Sequence, residues 1–124
     1  MTKYDKFIEY HGKAAVVNVS AIARGDRVDG IQNIVHEIEG DKNIKHIILN
    51  FEGILKQEGP TRKAKILELV FERYNNVIAA GVDNSRRELL TVEYHHFIEK
   101  NKRKGKIYSS VEKAITAVSK KYKR

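Results

Sequence analysis

The side chains that could do chemistry in this chain are five histidines, a few hydroxyls, scattered carboxylates and a dense set of lysines. His11, His36, His46, His95 and His96 include no pair at i, i+4, and the adjacent His95 and His96 point to different sides of either regular structure. The sequence has no cysteine, so a transition-metal site would have to draw on distant histidines and carboxylates. No metal and no cofactor is expected. The hydroxyls of Ser20, Thr61, Ser85, Ser109 and Ser110 all lie outside a Gly-x-Ser-x-Gly elbow. Ser85 and Ser109 each stand three residues before a glutamate, Glu88 and Glu112, which is capping-box spacing. Glu68 and Glu72 share a helix face but have Lys65 and Arg73 beside them. The loop Gly25-Asp26-Arg27-Val28-Asp29-Gly30 sits where a phosphate loop would. It lacks the third glycine of a dinucleotide fingerprint and the Gly-Lys-Ser/Thr of a P-loop. No nucleophile, base and orienting group can be assembled, so the chain is not expected to be an enzyme.

The lysines are the strongest signal. Net charge is +8 over 124 residues, and all of it resides in residues 97–124, where 10 basic side chains face 2 acidic ones. Residues 1–96 carry 14 of each sign. Lys100, Lys102, Arg103, Lys104 and Lys106 form one cluster, and Lys120, Lys121, Lys123 and Arg124 form another. Tyr108 and Tyr122 lie close by and could stack on bases. Such clusters suit a nucleic-acid or other phosphate backbone, with affinity that falls steeply as salt rises. They equally suit a solvated loop and a helix end, where cations complement the helix dipole.

The elements that must position these residues follow from periodicity. Phe7-Ile8 with Tyr10, a turn at His11-Gly12-Lys13, and Ala14 to Val19 read as a hairpin whose second strand is buried on both faces. Residues 24–30 read as a loop. Val28, Ile31, Ile34, Val35 and Ile38 then line one helical face, closed by Gly40 as a C-cap. Ile47-Ile48-Leu49 with Phe51 is a central strand. After an irregular stretch, Pro60 opens a helix with Ala64, Ile66, Leu67, Val70, Phe71 and Tyr74 on one side. Val77 to Gly81 is the next buried strand, and Ser85 to Leu90 a short helix. Residues 92–105 are ambiguous, Ile107-Tyr108 is a last strand, and Val111, Ala114, Ile115, Val118 and Tyr122 mark a final amphipathic helix capped by Ser109. The order β-β-α-β-α-β-α-β-α predicts a single α/β domain over residues 1–124, with a mostly parallel sheet and an antiparallel edge.

Length and composition agree with one domain able to bury a core without staples. No N-terminal apolar run marks a secretory signal, and no stretch approaches the ~20 apolar residues that span a bilayer. The expectation is a cytoplasmic protein without stable membrane insertion.

Several segments together resemble the STAS domain, the fold of anti-sigma-factor antagonists and of related modules in stressosome proteins and anion transporters. Gly12-Lys13-Ala14-Ala15-Val16-Val17-Asn18-Val19 is similar to that family's early hairpin. Ile47-Ile48-Leu49-Asn50-Phe51-Glu52-Gly53-Ile54 looks like its central strand, with Asn50 in place of an aspartate and Gly53 keeping a glycine. Val77 to Val82 with Ser85 to Leu90, and Ile107 to Ala114, resemble the next strand and helix and the closing segment. The resemblance implies a non-catalytic interaction or regulatory module that docks a regulatory protein, such as a kinase or anti-sigma-like factor, or a second copy of itself. It also leaves open a small-ligand or lipid-sensing role. The family's phosphorylatable turn maps onto Gln57, Glu58, Gly59, Thr61 and Arg62. Here the aspartate position is Glu58, and the hydroxyl is displaced by one or two residues to Thr61, a departure from the phosphoswitch pattern.

Overall fold

The computed structural model of the protein describes residues 5–22, 27–52, 60–81 and 92–120, with backbone alone at residues 27, 28, 60–66, 92–95 and 120. Among the described residues, five strands and four α-helices follow in the expected order: β1 (Ile8–His11), β2 (Ala14–Asn18), α1 (Arg27–Glu39), β3 (His46–Asn50), α2 (Pro60–Arg73), β4 (Val77–Ala80), α3 (Val92–Arg103), β5 (Ile107–Tyr108) and α4 (Val111–Lys120). The sheet order is β1-β2-β3-β4-β5, with β1 antiparallel to β2 and the other neighbours parallel. Sequential parallel strands joined by crossovers of one hand put the intervening helices on one face. That face holds Ile31, Ile34, Val35 and Ile38 of α1, Leu67, Val70 and Phe71 of α2, and Ile98 of α3, packed on Ala15, Val17, Ile47, Leu49, Val77 and Ala79. The alternate strand residues Ala14, Val16, Ile48, Ile78 and Ala80 face the other way and pack with Ala114 and Val118 of α4.

The turns explain several local choices. His11 pairs with Ala14, so the hairpin loop is Gly12-Lys13, with Gly12 at φ +60. Glycine at the first loop position with positive φ is the requirement of a type II′ hairpin. Phe7 lies in a short 3-10 turn, Asp5–Phe7, ahead of the strand. At the far end of α3, Gly105 has φ +71, its N–H donates to the Lys102 carbonyl at 3.0 Å, and the Lys106 N–H donates to the Asn101 carbonyl at 2.9 Å. These are the paired bonds of a Schellman close, and they resolve residues 92–105 as a helix and its cap.

Three expectations need correction. Asp29 and Gly30 are not loop: α1 starts at Arg27 and includes both. Gly30 serves packing, since a Cβ there would come within 3.2 Å of Ile22 Cγ2. Gly40 follows the last residue of α1, as expected of its C-cap, without a positive φ, and α1 closes through Gly40 N–H to the Glu37 carbonyl at 3.2 Å and Asp41 N–H to the Ile38 carbonyl at 2.9 Å. The Ser109/Glu112 box is displaced by one residue: Ser110 Oγ accepts from the Lys113 N–H at 3.2 Å, making Ser110 the N-cap of α4. The opening segment Phe7 to Tyr10 begins its strand one residue late, at Ile8. Pro60 does take the first position of α2, where its missing N–H is harmless. The loop residues 24–26 and the helix expected over Ser85 to Leu90 lie outside the described residues. Among the described residues, no helix is long and apolar enough to cross a membrane.

Ser110→Ala should cost about 1 kcal/mol in urea unfolding, and Ser109→Ala close to nothing. The reverse ranking would return the cap to Ser109.

Candidate binding surfaces at the two ends of the sheet

The parallel strands end at a common rim, the position at which open α/β sheets bind ligands. Asn18 and Asn50 are register partners there, and Asn50 Nδ2 donates to Asn18 Oδ1 at 2.9 Å. Asn50 Oδ1 accepts from the Glu52 N–H at 2.8 Å, which turns the chain sharply after β3. Glu52 in turn reaches the start of α4, where its Oε1 accepts from the Val111 N–H at 3.4 Å. A carboxylate at a helix N-terminus meets unpaired N–H groups and the positive end of the dipole. Gly81 makes the approach possible. Its φ is +75, and a Cβ there would lie 2.6 Å from the Glu52 backbone nitrogen. The described rim amides are therefore occupied in joining β2 to β3 and, through Glu52, β3 to α4.

Thr61 and Arg62 lie in the first turn of α2, which enters from this same rim, and only their backbone is described. Gln57, Glu58 and Gly59, expected to form a docking turn with them, lie outside the described residues. Farther along α2, Leu69 is 41% exposed on the side away from the sheet, beside exposed Glu68, Glu72 and Arg73.

The basic residues are divided by the fold. Lys100, Lys102 and Arg103 occupy the last turns of α3, with Lys104 and Lys106 in its cap, at the opposite end of the strands from Thr61 and Arg62. Lys120 ends α4 on the other face of the sheet, and Lys121, Lys123 and Arg124 lie outside the described residues. Lys102 pairs with Glu99 at 4.0 Å. Lys100, Lys104 and Lys106 line a cavity of about 220 Å³ together with Glu68, Glu72, Phe71, Phe97 and Asn101. Phe71 and Phe97 stack at 6.4 Å between centroids, and Lys106 Nζ sits 5.3 Å from the Phe71 centroid, a cation–aromatic contact. The cluster thus shares its space with acids and aromatics rather than forming a uniformly positive stripe. Sequence spacing alone did not reveal this cavity. The Glu68/Glu72 pair on one helix face was visible, but residues 92–105 were ambiguous, and that a second helix faces α2 there was not visible.

The remaining candidates stay apart. His11, His36 and His96 are exposed on β1, α1 and α3. Among the described residues, no group of three histidines and carboxylates is placed to hold a metal ion. On the outer edge strand, the Tyr10 hydroxyl donates to Asp5 Oδ1 at 3.3 Å, and partial desolvation with the nearby Asp5 charge raises its pKa above the usual phenol value. Ser20 is an exposed residue of a short 3-10 turn. No protein-family model, no curated protein and no solved structure matches this chain.

Two pairs of variants test the rim. Gly12→Ala, with open space around the added methyl, should cost roughly 1–2 kcal/mol for its positive φ alone. Gly81→Ala carries that cost plus a collision with backbone and should lose clearly more in denaturant unfolding; equal losses would remove the Glu52 contact from the account. Asn50→Ala, which forfeits two hydrogen bonds, should destabilise by about 1–3 kcal/mol. Asn18→Ala, which forfeits one, should destabilise less.

Proposed function

We propose that the chain is a non-catalytic, STAS-type regulatory module that docks a partner protein at the carboxyl rim of its sheet, around the first turn of α2. The observation that carries this reading is positional. The segment that resembles the family's switch turn leads into α2 at Pro60, so Thr61 and Arg62 stand at a helix N-terminus on the rim. The order and pairing of the strands support the same reading, with one antiparallel edge followed by a parallel run. The polar groups described at the rim support it too, because they hydrogen-bond to one another and to α4 instead of converging on an open reactive centre.

In this reading a partner meets the rim and the outer side of α2, where Leu69 supplies an apolar anchor within a charged surround. Phosphate on Thr61 would be favourable at this position, since a helix N-terminus stabilises added negative charge. The partner would be a regulatory protein, such as a kinase or anti-sigma-like factor, or a second copy. Nucleic acid is the competing class of partner. The mixed charge around Lys100, Lys104 and Lys106 and the pairing of Lys102 weigh against it.

The test is an affinity capture from nuclease-treated native lysate with the wild-type chain, Leu69→Asp, and a variant with Lys102, Arg103 and Lys104 changed to Gln. A discrete partner should be retained by the wild type and the lysine variant and lost from Leu69→Asp, with all three folded by circular dichroism. Capture that disappears with nuclease, or only in the lysine variant, would replace this reading with nucleic-acid binding.

A further inference from the structure

The cavity beyond the Schellman close sets opposite charges across a small space. One wall is α2, with Glu68 and Glu72 one turn apart, and the other is the end of α3 with its cap, where Lys100 and Lys104 lie one turn apart. The stacked rings of Phe71 and Phe97 lie between the walls, with Lys106 over the Phe71 face. Opposite charges across so small a space ordinarily neutralise each other directly. Here no ion pair within 4.0 Å joins these two glutamates to these three lysines. Asn101 adds a second feature. It is 6% exposed, lines the cavity, and donates its Nδ2 to the Phe97 carbonyl at 2.9 Å. Its Oδ1 accepts from no described residue. A buried amide carbonyl of this kind calls for a donor.

We propose that this cavity is a recognition site for a free α-amino acid with a flat apolar side chain. The ammonium group of such a ligand satisfies the glutamate wall and the Asn101 carbonyl. Its carboxylate satisfies the lysine wall, and its side chain lies against the Phe71–Phe97 pair. A simple anion would meet the lysines but also the repulsion of Glu68 and Glu72, and a simple amine would meet the converse. At about 220 Å³ the space is below the roughly 300–1,000 Å³ of drug-sized pockets, which limits the guest to a small molecule.

The experiment is titration of the full chain, followed by ¹H–¹⁵N NMR, with L-phenylalanine, 3-phenylpropionate (no ammonium) and phenethylamine (no carboxylate). L-Phenylalanine should shift the amides around Phe97 to Lys106 saturably and bind about tenfold or more tighter than either truncated probe. Glu72→Gln should weaken L-phenylalanine while leaving 3-phenylpropionate unweakened, and Lys104→Gln should weaken both. The spectrum of each variant reports its folding in the same sample. Absence of saturable shifts with L-phenylalanine, or equal binding of 3-phenylpropionate, would overturn the proposal.

Discussion

The structure depends on covering two apolar faces of one sheet. β2, β3 and β4 bury nearly every side chain, odd and even alike, as strands of a parallel sheet sandwiched between layers must. Three helices cover one face. Among the described elements, α4 alone packs on the other, over Val16, Ile48, Ile78 and Ala80. Each such aliphatic side chain gains ~1.5–3 kcal/mol by burial, against about 1 kcal/mol for a helix cap. Apolar burial therefore drives α4 onto the sheet, and the smaller polar contacts of Ser110 and Glu52 determine where its first turn sits. Gly81 is the backbone condition for that placement, because any side chain there would occupy the space of Glu52.

This division of labour shapes what each end of the molecule can do. At the carboxyl rim, the described asparagines and Glu52 are engaged in holding the layers together, and the first turn of α2 begins there. At the other end, the cap of α3 gathers cations next to the aromatic pair and the acidic side of α2. The two functional readings centre on different ends of the same strands but meet on α2, where Glu68 and Glu72 flank Leu69 and also line the cavity. The described basic residues of the C-terminal region are likewise split between the end of α3 and α4, on opposite faces of the sheet.

The periodic elements were legible in the sequence because their physics is local. Runs such as Ala14 to Val17 and Ile47 to Leu49, short, β-branched and bounded by turns, read as doubly buried strands, and the spacing of Ile31, Ile34, Val35 and Ile38 reads as one helix face. What escaped was decided by neighbours distant in sequence. Gly30 looked like a turn residue because its reason, the approach of Ile22, comes from another element. The left-handed cap Gly105 was hidden inside a run of lysines that invited reading by charge alone. A helix ending in Lys102-Arg103-Lys104-Gly105 was a readable signal. Glu52 as a partner of α4 was not readable, since the two are 59 residues apart.

The most direct test of this account is native-state hydrogen exchange of the α4 amides from Ala114 to Val118 beside those of β3 and β4. If α4 is an obligate layer, both sets exchange with the same opening free energy, equal to that of global unfolding. Exchange of α4 at a much lower free energy, with the strands still protected, would show a detachable helix and contradict the claim that the second face depends on it.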